Sequence, residues 1–132
     1  MGSILTPSSV LKFIFRRQGR LSFPITTSHV VTNVRGSSDY KKPNGCSCIE
    51  YWEQQSGFAI DGRKSYICPS CGRMRRGHLY EGGHVTAAGR PQDEWYFVPL
   101  CPDCNHPTNT KSMSVDTVLV PVPPECYEKI SE

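Results

Sequence analysis

Apolar positions along this chain come in short groups separated by glycine, proline and small polar residues. The first group, Val10-Leu11-Lys12-Phe13-Ile14-Phe15, has the length of a strand or a short helix, and its periodicity does not decide between them. A polar stretch, Ser37-Ser38-Asp39-Tyr40-Lys41-Lys42-Pro43-Asn44-Gly45, then reads as a loop. The next group, Ile49-Glu50-Tyr51-Trp52-Glu53-Gln54-Gln55, contains no breaker. Ser47 precedes it as an N-cap and Gly57 stops it, so the pattern predicts a short helix with Ile49 and Trp52 sharing the buried face. Ser65-Tyr66-Ile67 and Glu94-Trp95-Tyr96-Phe97-Val98 are β-prone, and Thr117-Val118-Leu119-Val120 predicts a further strand, ended by Pro121, Pro123 and Pro124. No run approaches the ~18 apolar residues of a membrane span.

This punctuation divides the chain into an N-terminal arm (residues 1–38), a body (about 39–112) and a tail of strand plus proline-rich segment (113–132). With 132 residues, 37% of them apolar, and eleven glycines and eleven prolines, the body is expected to be one loop-rich domain. A core that small calls for a metal or disulfides. Of the fifteen Lys and Arg, five (Lys12, Arg16, Arg17, Arg20, Arg35) lie in the arm, which has no acid before position 39. The remaining ten face all twelve Asp and Glu, so the body is nearly neutral and is not a strongly cationic nucleic-acid binder.

Seven cysteines change the picture. The arm lacks a continuous apolar signal core and a cleavage site, and four cysteines fall into C-x-x-C pairs, so a reduced, intracellular protein is expected rather than a disulfide framework. In Cys68-Pro69-Ser70-Cys71-Gly72, two intervening residues let both thiolates reach one ion, and the glycine permits the turn behind the second sulfur. Cys101-Pro102-Asp103-Cys104 repeats the device after 29 intervening residues. Two such pairs make a closed Cys₄ site for a structural Zn²⁺. Cys46-Ser47-Cys48 is a further pair, with two readings. It supplies two ligands of a second zinc, completed by His84 or another of His29, His78, His106 and Cys126, or it is two thiols flanking the helix start. Cys126, in the proline-rich tail, reads as a free thiol.

Between the C-x-x-C pairs run Gly82-Gly83-His84-Val85, a Gly/Pro loop, and an apolar strand ending Pro99-Leu100-Cys101-Pro102-Asp103-Cys104-Asn105. Over residues 66–112, about a third of the chain, this arrangement resembles the HNH endonucleases with a zinc-stapled ββα-metal fold. The resemblance implies an α+β, treble-clef or HNH-like domain, with a β-hairpin between the cysteine pairs and a short helix starting at His106. It implies His84 as the general base that activates water, a role an imidazole suits because it titrates near neutrality. It also implies Asn105 as an oxygen ligand of a catalytic Mg²⁺ or Mn²⁺. The chain departs from the pattern at three places. Gly83 stands where a ligand is usual, Tyr96 stands where an asparagine orients the base, and Lys111 lies further from the second cysteine pair than the family's lysine. Strand alternation puts Glu81, a substitute ligand, on the face opposite His84 unless Gly82-Gly83 forms a bulge.

The other chemistry-bearing residues are less directive. Arg73-Met74-Arg75-Arg76 is expected on a loop, either meeting phosphates or solvated. His78 is expected in a solvated turn, and Trp52, Trp95, Tyr96 and Phe97 in the core. Met1-Gly2-Ser3-Ile4-Leu5-Thr6 fits an N-myristoylation acceptor with a basic second signal for peripheral membrane contact. The same acid-free segment resembles an organelle transit peptide, or an ordinary basic arm behind a cloning leader, and is taken as flexible or edge-pairing. Two functions follow. One is a non-catalytic zinc module serving protein or nucleic-acid contacts, favoured by the departures at Gly83 and Tyr96. The other is a metal-dependent endonuclease with His84 as base.

Overall fold

Short β-prone runs bury a face only when other strands supply neighbours, and here they assemble into two sheets. The computed structural model describes residues 16–17 and 20–130. The apolar group at residues 10–15 and the myristoylation, transit and leader readings lie outside the described residues. The first sheet has the order β1-β2-β4-β5, built from Arg16–Arg17, Arg20–Ser22, Ser65–Ile67 and Met74–Arg76, with β2 parallel to β4 and the other pairs antiparallel. The second, wholly antiparallel, has the order β8-β3-β6-β7-β9, built from Met113–Val115, His29–Asn33, Glu81–Ala87, Tyr96–Leu100 and Val120–Pro121. With helix α1 (Cys48–Ser56) and three short 3₁₀ turns, the domain is small and α+β.

α1 begins and ends as its sequence demands. Ser47 accepts from the Glu50 N–H (3.2 Å) while Glu50 accepts from the Ser47 N–H (2.8 Å), a reciprocal capping box. Gly57 ends the helix in the left-handed region (φ 77°) and donates to Glu53 O. The helix packs on β6 and β7. Its N-terminus comes so close to Gly82 that a Cβ there would lie 2.6 Å from the carbonyl carbon of Cys48. Trp52, fully buried, donates its Nε1–H to Val118 O at 2.9 Å.

Phe23 links the sheets through an aromatic cluster, with its ring 5.8 Å from Trp52, 5.9 Å from Phe58, 5.3 Å from Tyr66 and 4.8 Å from Tyr80. Tyr80 keeps its hydroxyl satisfied by donating to Tyr66 O at 2.7 Å. The hairpin expected between the cysteine pairs is present as β6–β7, and every residue of β7 is buried.

Several sequence expectations are corrected. No helix follows Cys104; residues 101–110 are turns, in which Asn109 donates its side-chain amide to Cys104 O (2.8 Å) and its backbone N–H to His106 O. Side chains that compete for nearby carbonyls favour such turns over a helix. Of the arginine-rich stretch 73–76 only Arg73 stays in the turn; Met74–Arg76 is a strand that closes a hairpin on β4. The strand expected over 117–120 shrinks to Val120–Pro121, while Met113–Val115 pairs instead. Val118 O serves the Trp52 indole and Asp116 O accepts from Thr26 N (2.7 Å), which takes this segment out of ladder pairing. Within the segment read as arm, residues 29–33 form β3 between β8 and β6, since Val30-Val31-Thr32 is a β-branched run with Val31 buried. No helix among the described residues is long and apolar enough to cross a membrane.

Candidate metal centre and the groove beside it

Each cysteine pair sits at the end of a strand that holds it rigidly. β4 delivers Cys68, whose N–H donates to Arg73 O (2.9 Å) and whose carbonyl accepts from Gly72 N (3.0 Å), with Gly72 in the left-handed region (φ 79°). β7 delivers Cys101, whose carbonyl accepts from Asn105 N (3.0 Å). The four sulfur atoms lie within 4.8 Å of one another, and the Cys68–Cys104 and Cys71–Cys101 separations are 3.9 and 3.8 Å. A tetrahedron with Zn–S bonds of ~2.3 Å has edges of about 3.8 Å, so the donor set fits one zinc ion with no ligand position left open. Burial pushes the Cys68 thiol far up and the Cys104 thiol up to about 11. Backbone N–H groups of Cys71, Cys101 and Ser70 point at the Cys68 sulfur and oppose that shift, favouring the thiolate a metal requires. Cys71 is lowered although its burial works the other way, because the Arg73 N–H and the neighbouring thiols hydrogen-bond its sulfur. Asp103, between the second pair, accepts from Arg75 (3.2 Å) and lies 3.6 Å from Arg73, tying the two knuckles together on the surface. None of the seven cysteines is disulfide-bonded.

A groove of 420 Å³ lies where β3 leaves β6. Pairing of these strands ends at Asn33 and Val85, with one last bond from Val34 N to His84 O (2.9 Å), after which the chain turns away through Gly36 (φ 69°). The edge of β6 from Glu81 to His84 is thereby left open, and His84, Asn105 and Glu81 all line the groove. The register of residues 81–85 against 100–96 is unbroken, so no bulge forms. Glu81 and Gly83 face one side of the sheet, and Gly82 and His84 face the side that α1 covers. Asn105 donates its side-chain amide to Glu81 Oε1 (2.8 Å). A Cβ at Gly83 would lie 2.8 Å from Asn105 Oδ1 and 2.7 Å from Leu100 Cδ1, so the space a ligand at that position needs is filled.

His84 is 5% exposed, with its ring edge-on to Phe97 (4.9 Å between centroids) and its Nε2 buried without a partner. Burial, helped by nearby Lys42, lowers its pKa to about 4, so the imidazole is neutral at pH 7 and weakly basic. Tyr96 shares the face of Gly83 and bonds Glu94 (3.2 Å), away from His84. Lys111 is exposed on the turn after Asn109. His78 is exposed in a 3₁₀ turn. Among Cys46, Cys48, His84 and Cys126, no three donor atoms lie within 4.8 Å of one another. The sequence reading missed Asn33, whose amide donates to Cys104 O (2.8 Å) and Asn109 O (3.1 Å) and so braces the second cysteine turn. No local signal marks it, because its partners lie more than seventy residues away. Compared with known proteins, the chain matches no family model, no curated protein and no solved structure.

Proposed function

We propose that this chain is a zinc-stapled, HNH-like scaffold of treble-clef type that has no hydrolytic role and serves contacts with a protein or nucleic acid. The observation that carries this reading is the filled space at Gly83, where Leu100 and Asn105 leave no room for a ligand side chain. The Asn105 amide, turned toward Glu81, engages the carboxylate that would otherwise serve a cation. Mg²⁺ needs near-octahedral oxygen coordination, usually through one or two carboxylates, and this edge offers it poorly. Arg63 and Arg73, exposed around the β4–β5 hairpin, each lie beside an acid, Asp61 (3.4 Å) and Asp103 (3.6 Å), so a polyanionic partner there would have to displace those ion pairs.

A second reading, the metal-dependent endonuclease, is favoured by one observation: His84, Asn105 and Glu81 share a single groove. In that reading His84 accepts the proton of the attacking water, and Asn105 and Glu81 hold Mg²⁺ or Mn²⁺, which stabilises charge on the leaving oxygen. Incubating purified full chain with plasmid DNA and with RNA, in Mg²⁺ and in Mn²⁺, separates the two. No nicking is expected. Cleavage that disappears in His84→Ala, with the fold intact by NMR, overturns the scaffold reading and establishes the nuclease.

A further inference from the structure

The four-cysteine cluster leaves three thiols and one buried imidazole unused, and the fold gathers them. Cys48 is the first residue of α1, and Cys46 stands two residues earlier on a turn closed by its N–H to Pro43 O (3.2 Å). Cys126, fully buried, lies on the 3₁₀ turn Pro124–Tyr127 near the opposite end of the chain. Backbone bonds from Lys41 N to Glu128 O (2.9 Å) and from Ile130 N to Asp39 O (2.8 Å) bring that turn back against the loop before α1. Tyr127 accepts from Trp95 N (2.8 Å) and stacks on its ring, and His84 lies edge-on to the same ring, 6.3 Å from Trp95. Cys126 is within electrostatic reach of both Cys48 and Cys46, and Lys42 is within reach of Cys48, Cys126 and His84.

Two further observations point to a ligand. His84 and Cys48 line one cavity of 330 Å³. His84 is 5% exposed and its Nε2 has no hydrogen-bond partner, which a buried ring nitrogen normally finds in protein, water or metal. We propose that Cys46, Cys48, Cys126 and His84 bind a second zinc ion. Three sulfurs and one imidazole are a common tetrahedral zinc set, with the C-x-C pair supplying two ligands from a helix start. Zn²⁺ with three thiolates and a neutral imidazole carries a net charge of −1; Lys42 faces Cys48, Cys126 and His84 with the opposite sign, while Glu125 beside Cys126 adds to the negative side. Because no three of the donors are within 4.8 Å, binding draws the turn at 43–46 and the Pro124–Tyr127 turn inward. Both are short loops without ladder pairing of their own.

The site does not depend on the scaffold reading, and the tests separate them. Full-length chain purified without chelator is measured for zinc by elemental analysis and native mass spectrometry. Two zinc ions per chain are expected, falling to one in Cys126→Ser and in Cys46→Ser. One zinc in the unmodified chain, or two retained in both variants, overturns the site. Should the variants fail to fold, alkylation of the unmodified protein decides. Cys46 is only partly buried, so a free thiol there reacts. Protection of Cys46 that is lost on chelation supports coordination, whereas labelling of Cys46 in the folded, zinc-loaded protein overturns it. One zinc with no nuclease activity removes this site and leaves the scaffold reading standing. Two zincs in an unmodified chain that itself cleaves nucleic acid, falling to one in Cys126→Ser, do the reverse.

Discussion

Two adjacent glycines show how much a single hydrogen atom decides at the β6 edge. At Gly82 an added Cβ meets backbone, the Cys48 carbonyl carbon at 2.6 Å and Ile49 N at 2.7 Å, so α1 itself has to move. At Gly83 it meets side-chain atoms, Leu100 Cδ1 at 2.7 Å and Asn105 Oδ1 at 2.8 Å, and small rotations that admit one methyl still leave no room for a ligand-sized side chain. Gly→Ala also stiffens the unfolded chain, a gain of about 0.4–1 kcal/mol where the backbone accepts it. We expect Gly82→Ala to destabilise by about 1–3 kcal/mol, the usual range for overpacking, and Gly83→Ala to cost distinctly less. Urea unfolding of both variants checks this. Equal losses would mean that α1 does not rest on Gly82. The same crowding explains the reading of His84. The residue before it has no room for a ligand, and its own ring is committed to Phe97 rather than to open water.

Among the elements, α1 is the one whose limits were readable from local chemistry. Ser47 and Gly57 bracket the expected helix because each satisfies backbone groups within three or four residues of itself. The structure adds the reciprocal bond from Ser47 N to Glu50, completing the capping box. Ser47→Ala removes one half of the box and is expected to lower stability by about 1 kcal/mol, read as a shift in urea midpoint with an unchanged slope. No shift would place the helix start under tertiary control alone. β4 was equally legible, since β-branched and aromatic residues there run directly into a cysteine turn. β3 was not, because its neighbours β6 and β8 lie some fifty and eighty residues further along the chain. The missing helix after Cys104 belongs here too. Its sequence, His106-Pro107-Thr108-Asn109-Thr110, is rich in side chains that bond nearby backbone, and Asn109 does so at Cys104 O.

Across the whole molecule, the four-cysteine cluster joins the two sheets, with Cys68 following the first and Cys101 the second. Cys68, Cys101 and Cys104 are buried, so without a cation the domain has to accommodate several thiols in its centre. Apparent zinc binding free energies in small structural sites are ~10–16 kcal/mol, comparable with or larger than the ~5–15 kcal/mol stability of a whole domain. Cys68→Ser and Cys101→Ser are therefore expected to lose most native chemical-shift dispersion in NMR, as is the unmodified chain after chelation. Native-like dispersion in either variant would show that the sheets hold together through the Phe23 cluster without the metal, and would remove zinc from this position.

Several features were determined by sequence alone: the four-cysteine site, α1 with its caps, the β4 and β7 segments that deliver cysteines, and the α+β class. Each depends on contacts within a few residues, or on a spacing that leaves a metal almost no choice of partners. Tertiary structure decided the rest. The unbroken β6–β7 register sent His84 and Glu81 to opposite faces, the departure of β3 opened the groove between them, and residues 20–33 joined both sheets. It also carried the turn that holds Cys126 back against the loop before α1, across some eighty residues. The physical reason is common to all four. Long-range pairing is driven by burying a shared face, and which faces meet is a property of the assembled sheets rather than of any one stretch of chain.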